Sequence, residues 1–259
     1  MNALHHQTLG HGPDVVLLHG WGMHSGIWDD VIEALLDHYR VTVLDLPGHG
    51  RSRGVRFGPT LDDLGAAVGA VAPPRAAWVG WSLGGLVAQW LAIAAPGRVE
   101  RLALVGSTPC FTQRPNWPYG MNPTVLRGFA GALRQNHRAT LQRFIALEVH
   151  GSDHAASQLR QLKALLFQHG EPDETALEHG LAILEHTDLR AELPRIGCPT
   201  LLLFGQRDLL APVAAGEAMR EALPDARLRV FPHAGHAPFL SHLPEFLIEL
   251  RAFLDARRP

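Results

Sequence analysis

Lysine is almost missing from this 259-residue chain: Lys163 is the only one, and arginine supplies the rest of the 23 basic side chains. Acids and bases nearly cancel, to a formal net charge of −2, so no global field selects nucleic acid or an anionic membrane as partner. Cysteine is as scarce. Cys110 and Cys198 lie far apart without metal-ligand spacing, which argues against a disulfide framework and predicts two buried, reduced thiols. No apolar run approaches the ~20 residues that span a bilayer. Residues 1–10 hold no apolar core of a signal peptide, and these absences predict a soluble, cytoplasmic protein. Phosphate loops, dinucleotide fingerprints and internal repeats are also missing. The scattered histidines (His5, His6, His11, His150, His154, His169, His179, His186) lack paired acids at metal spacing, so neither a metal nor another cofactor is expected.

What the chain does have is apolar residues, 46% of the total, enough for a sizeable core. They fall in short runs at 15–18, 41–44, 77–80, 102–105, 200–204 and 228–231. Most are apolar without alternation, as in strands buried on both faces. Helical patterns separate them, at 27–38, 61–71 with Thr60 placed to cap, 84–95 closed by Pro96, 213–223 and 245–256. Strand–helix alternation of this kind predicts an α/β fold with a mostly parallel central sheet flanked by helices and right-handed crossovers. The alternation breaks after Cys110. A loop rich in Pro, Asn and Trp is followed by helical patterns at 124–135, 139–150, 155–169 and 174–186. The expected division is a core of residues 1–110 and 191–259 with a helical cap, or lid, over 111–190.

Charge is uneven along that cap. Residues 111–165 carry seven basic side chains (Arg114, Arg127, Arg134, Arg138, Arg143, Arg160, Lys163) against Glu148 and Asp153. Residues 166–190 reverse the balance, with six acids against Arg190. A basic face of this kind suits an acidic partner. Arg160 and Lys163, three apart, share one side of a helix.

Chemistry concentrates where strands end. Gly80-Trp81-Ser82-Leu83-Gly84 follows a strand and opens a helix, the context of a nucleophile elbow that lifts a serine hydroxyl clear of the sheet. The amide of Leu83 then points to where an oxyanion would form. A second donor should come from the loop after an early strand, and in His19-Gly20-Trp21-Gly22 the natural one is the Trp21 amide. The Trp21 ring is placed to wall an acyl pocket, and His19 to hold the loop. Serine needs a base. In the chain order serine, acid, histidine, that base belongs after the last strand, in Pro232-His233-Ala234-Gly235-His236, where His236 is preferred to His233. The acid belongs after the preceding strand: Asp208, better placed than Asp188 or Asp225, to fix the tautomer of His236 and stabilise its imidazolium form. Asp45-Leu46-Pro47-Gly48-His49-Gly50-Arg51-Ser52 reads as scaffold.

These segments resemble a known family. The H-G-W-G loop, the D-L-P-G-x-G-R-S loop, G-W-S-L-G-G-L-V-A and the A-x-H-A-P-F end look like the α/β-hydrolases. Residues 80–88, Ser107-Thr108-Pro109-Cys110-Phe111 and Arg143-Phe144-Ile145-Ala146-Leu147 are similar to the biotin-synthesis carboxylesterases that act on pimeloyl-[acyl-carrier protein] methyl ester, and the likeness runs along essentially the whole chain. The resemblance implies hydrolysis of that methyl ester through an acyl-enzyme on Ser82. It implies substrate contacts at Trp21, Ser82, Leu83, His236 and the stretch Phe144, Ile145, Ala146, Leu147, Glu148, the last standing where the family stretch typically ends in Gln. It also implies that cap arginines grip the acidic carrier. Arg143 and Arg160 fall on matching positions, Ala139 and Ala156 replace two others, and Arg138 and Lys163 stand near enough to compensate. Competing readings are a broad-specificity short-chain carboxylesterase or C–C bond hydrolase with the same three residues, and a non-catalytic hydrolase-fold binding protein, against which the intact trio speaks. A haloalkane dehalogenase would need Asp in place of Ser82.

Overall fold

A computed structural model describes residues 3–256 of the chain. Its strands are β1 (His6–Gly10), β2 (Asp14–Leu18), β3 (Arg40–Leu44), β4 (Ala76–Trp81), β5 (Val99–Val105), β6 (Thr200–Gly205) and β7 (Ala226–Phe231). They form one sheet in the order β1-β3-β2-β4-β5-β6-β7, in which β1 runs antiparallel to β3 and every other pairing is parallel. The six apolar runs of the sequence all fall within the six parallel strands. β1 carries no apolar run: His-Gln-Thr-Leu-Gly is an edge strand, mostly exposed, and its backbone pairing to β3 is all that defines it.

Helices cover the sheet and its loops: α1 (Asp29–Leu35), α2 (Leu61–Val71), α3 (Leu83–Ala94), α4 (Pro123–Gln135), α5 (His137–Glu148), α6 (Ala155–Leu166), α7 (Glu174–His186), α8 (Val213–Ala222), α9 (Pro238–Ser241) and α10 (Leu243–Asp255). The predicted helix at 27–38 is shorter than its pattern, because a 3₁₀ turn at Ser25–Trp28 takes its first residues. Thr60 caps α2 through a reciprocal pair with Asp63, the capping box that satisfies two orphan donors. α4 to α7 form a cap-like helical insertion between β5 and β6. Cys110 and Cys198 are both free, Cys110 buried as expected. Cys198 is only half-buried, since it sits just before β6 enters the sheet rather than inside it.

The strand order places the chemistry. β3 lies on one side of β2 and β4 on the other, so the connection from β2 runs one way along the sheet and the next, from β3, returns past β2 to β4, which places a crevice at the carboxyl ends of β2 and β4. The loop that starts at His19 and the turn at Ser82 flank that crevice. No helix among the described residues is long and apolar enough to cross a membrane.

Candidate active site

Ser82 sits between β4 and α3 with φ 54° and ψ −118°, a conformation that L-residues avoid. The flanking glycines explain why the chain can turn so tightly there. A Cβ on Gly80 would lie 2.5 Å from the Gly84 carbonyl oxygen, and one on Gly84 would lie 2.5 Å from that of His19. The elbow is buttressed from β5. Ser82 N–H donates to Val105 O at 3.0 Å, and the Ser107 hydroxyl donates to Ser82 O at 2.8 Å. Ser107 supports the elbow, a role that its place in the family-like stretch Ser107-Thr108-Pro109-Cys110-Phe111 does not by itself indicate.

Asp208 and His236 meet as the chain order predicts. His236 Nδ1–H donates to Asp208 Oδ2 at 2.7 Å, and the two side chains are 1% and 0% exposed. The other carboxylate oxygen, Oδ1, accepts the amides of Leu210 and Ala211 at 2.8 and 3.0 Å. Asp208 therefore holds its turn and orients the imidazole at once. His236 Nε2 is buried and makes no hydrogen bond among the described residues, Ser82 Oγ included, so its lone pair is free on the face away from Asp208. Serine–histidine bonds of this type commonly tighten only when substrate is bound. Trp81 Nε1–H donates to His236 O at 3.0 Å, tying the elbow strand to the histidine loop, and the sequence carried no signal for that bond. His233 stands apart from this pair. It is half exposed, with φ 65°, and bonded to Arg207.

The two expected oxyanion donors are unengaged: among the described residues, neither the Trp21 nor the Leu83 amide donates to a backbone carbonyl outside regular structure. Trp21 itself is fixed. Its indole N–H donates to Leu177 O at 2.9 Å, and its ring packs edge-on to Phe144 with centroids 4.7 Å apart, so it ties the β2 loop to α5 and α7. His19 holds the same loop, as expected. Its Nδ1–H donates to Gly20 O and its Nε2 accepts from the Leu46 amide, each at 2.8 Å. Accepting that amide requires the neutral ring, and burial, then His49, push its pKa down to about 3. The Asp45 loop is scaffold here too, with its carboxylate accepting the Ser25 and Arg51 amides. Asp188 lies apart, paired with Arg190.

Of the α5 stretch, Phe144, Ile145 and Glu148 are buried and Leu147 is half-buried. Ala146 is exposed, because a helix cannot turn five consecutive residues inward. Burial, and after it the charge of Asp208, raises the Glu148 carboxyl well above the usual carboxylate range. The four docking candidates, Arg138, Arg143, Arg160 and Lys163, are exposed. Arg138 is engaged, bonded to Glu171 at 2.6 Å and lying over the Phe167 ring, so it is a weaker docking candidate than its neighbours. Arg143 lies over Phe129, whereas Arg160 and Lys163 form no ion pair among the described residues. No group of three or more His, Cys, Asp or Glu side chains among the described residues could hold a metal ion.

A strained serine after a parallel strand, beside a buried His–Asp pair at the same sheet edge, is the arrangement of a hydrolase. Residues 13–243 match the family model described as alpha/beta hydrolase fold. Among solved structures, an esterase from Exiguobacterium antarcticum superposes with a TM-score of 0.89 at 25% identity, covering 98% of this chain and 96% of that one. A hydrolase from Pseudomonas aeruginosa superposes with a TM-score of 0.84 at 29% identity, covering 98% and 94%. Curated relatives are more similar in sequence. The pimeloyl-[acyl-carrier protein] methyl ester esterase of Nitrosomonas europaea is 45% identical over 95% of this chain and 98% of its own length. That of Serratia marcescens is 43% identical over 99% and 100%. The chain belongs to the α/β-hydrolase family and, within it, to the pimeloyl-[acyl-carrier protein] methyl ester esterases; it is a carboxylic ester hydrolase.

Proposed function

We propose that this enzyme hydrolyses the methyl ester of a pimeloyl chain borne on acyl carrier protein, with Ser82 as nucleophile, His236 as general base and Asp208 as its orienting acid. The observation that carries the chemistry is the buried His236–Asp208 pair with an open Nε2 at the sheet edge where Ser82 is lifted. The relatives' shared name supplies the substrate. In the first step Ser82 Oγ attacks the ester carbonyl while His236 Nε2 takes its proton. The Trp21 and Leu83 amides receive the oxyanion. The tetrahedral intermediate collapses, the imidazolium gives its proton to the departing methoxide, and methanol leaves. Water, deprotonated by His236, then cleaves the acyl-enzyme and frees the distal carboxylate needed for biotin synthesis.

Residues 111–190 act as a cap on a core of 1–110 and 191–259. Ser82 is 2% exposed, so an ester reaches it only when the cap shifts. An apolar cleft of about 230 Å³, lined by Met121, Val125, Leu147, Leu209 and Leu210, opens beside the Asp208 turn and suits a hydrocarbon chain. The enzyme's gene should restore growth without biotin to a bacterial strain lacking its own esterase, and a Ser82→Ala copy should not. Failure of the wild-type gene, with the protein expressed and folded, would reject this substrate.

Carrier docking falls to Arg143, Arg160 and Lys163, with Arg138 held back by Glu171. Reversing charge at both Arg143 and Arg160 should lower kcat/KM for carrier-linked ester by about 10-fold or more, through loss of ~1–2 kcal/mol of attraction, and spare p-nitrophenyl esters. Equal losses on both substrates would rule docking out.

A further inference from the structure

Three carboxyl side chains are buried among the described residues: Asp45, Glu148 and Asp208. Asp45 accepts backbone amides, and Asp208 accepts amides and an imidazole N–H. Glu148 accepts nothing. Both its oxygens are enclosed without a hydrogen-bond partner, although the residue is 1% exposed. A carboxylate in such a place is far costlier than a carboxylic acid, so the group keeps its proton. Its position adds a second reason. Glu148 is the last residue of α5, where the helix's unpaired carbonyls carry partial negative charge.

That same residue touches the reaction machinery. Glu148 O accepts the backbone N–H of His236 at 2.9 Å, and Gly235 lies against this carbonyl, leaving no room for a Cβ (2.9 Å). The charge that bears on its carboxyl is Asp208, from the loop after β6. Among the described residues no cation answers it. Arg207, beside Asp208, is exposed and engaged with Gly151 O, Asp153 and His233. His150 and His154, on the connection to α6, are exposed, as is Arg143 on the outer side of α5.

We infer that Glu148 is a positioning residue of the esterase: while neutral it holds the Asp208–His236 pair in its working arrangement, and when it loses its proton it disables that pair. The inference rests on the triad reading given above. The proton goes to solvent, and a second negative charge appears beside Asp208. That charge strengthens the hold of His236 on its proton, so methoxide is protonated less readily, and it opposes the oxyanion. The new carboxylate also seeks water. Drawing the end of α5 outward loosens the Glu148–His236 backbone bond.

The test compares wild type with Glu148→Gln in hydrolysis of a small neutral methyl ester from about pH 5 to about pH 10. The acid limb should fall at the same pH in both, because Glu148 is already neutral there. The alkaline limb of kcat should move up by about one pH unit or more in the variant. Coincident alkaline limbs would overturn the inference. So would an acid limb displaced to lower pH in the variant, which would mean that the wild-type group is charged. Should the glutamine variant not fold, Glu148→Met carries the same expectations. Infrared spectra of the wild type read the group directly: a protonated-carboxyl C=O band at neutral pH, fading with the alkaline loss of activity, is expected, and its absence would overturn the inference. An active Ser82→Ala enzyme would instead defeat the triad reading, whereas an inactive one with coincident Glu148 profiles defeats the role of Glu148 alone.

Discussion

Replacing Ser82 by alanine should lower kcat for p-nitrophenyl ester hydrolysis by about 10⁴- to 10⁶-fold and leave the protein folded. The acyl-enzyme route needs an oxygen at this position, and alanine offers none. What survives is the smaller acceleration from the Trp21 and Leu83 amides and from binding. Stability should move the other way. Ser82 is held at φ 54° and ψ −118°, where a side chain is strained by about 1–3 kcal/mol. Ser82→Gly should therefore raise stability by roughly 1 kcal/mol, as glycine adopts positive φ without that strain, while it removes activity as completely as alanine does. Kinetics with urea unfolding of the three proteins checks both halves. Turnover within 10-fold or so of wild type in the alanine variant would remove the serine mechanism.

The second large effect belongs to Asp208→Asn, expected to cost about 10⁴-fold in kcat with little loss of fold. Local bonding dictates which way the new amide points. Asp208 Oδ1 accepts the Leu210 and Ala211 amides, so the asparagine oxygen stays there and its NH₂ replaces the oxygen that faces His236. A donor facing Nδ1 forces the ring to carry its proton on Nε2, the atom that must accept from serine. The side chains are 1% and 0% exposed, so solvent cannot rescue the wrong tautomer. Nitrogen-15 NMR of the ring should show the proton moved from Nδ1 to Nε2. A variant that keeps its tautomer and loses less than about 10-fold in rate would show that Asp208 does not orient the base.

How much of this was legible beforehand varies with how local the signal is. Most of the parallel strands announced themselves through largely apolar runs, because a strand covered on both faces has no polar side, whereas β7, at the far edge of the sheet, alternates in burial. The elbow was legible because Gly80 and Gly84 are required by contacts within a few residues of the turn and with the adjoining His19 loop. β1 was not legible, since an exposed edge strand selects no apolar pattern and is defined by its pairing to β3. The bracing by Ser107 and Trp81 was hidden for a related reason. Their partners, Ser82 and His236, are 25 and 155 residues away, and nothing in either local pattern names them.

Sequence alone determined the alternation of strand and helix, the three residue types at three strand ends, and their order along the chain, all of which follow from local patterning and turn chemistry. Only the tertiary structure decided which other neighbours those residues keep: among the described residues, that Asp208 also accepts the Leu210 and Ala211 amides, that Arg138 is taken up by Glu171, and that Glu148 is sealed without a partner. Burial and pairing are properties of how distant segments pack. The same glutamate at the end of an uncovered helix would be an ordinary solvated charge, and it is burial at the end of α5, then the charge of Asp208, that raises its carboxyl well above the usual range.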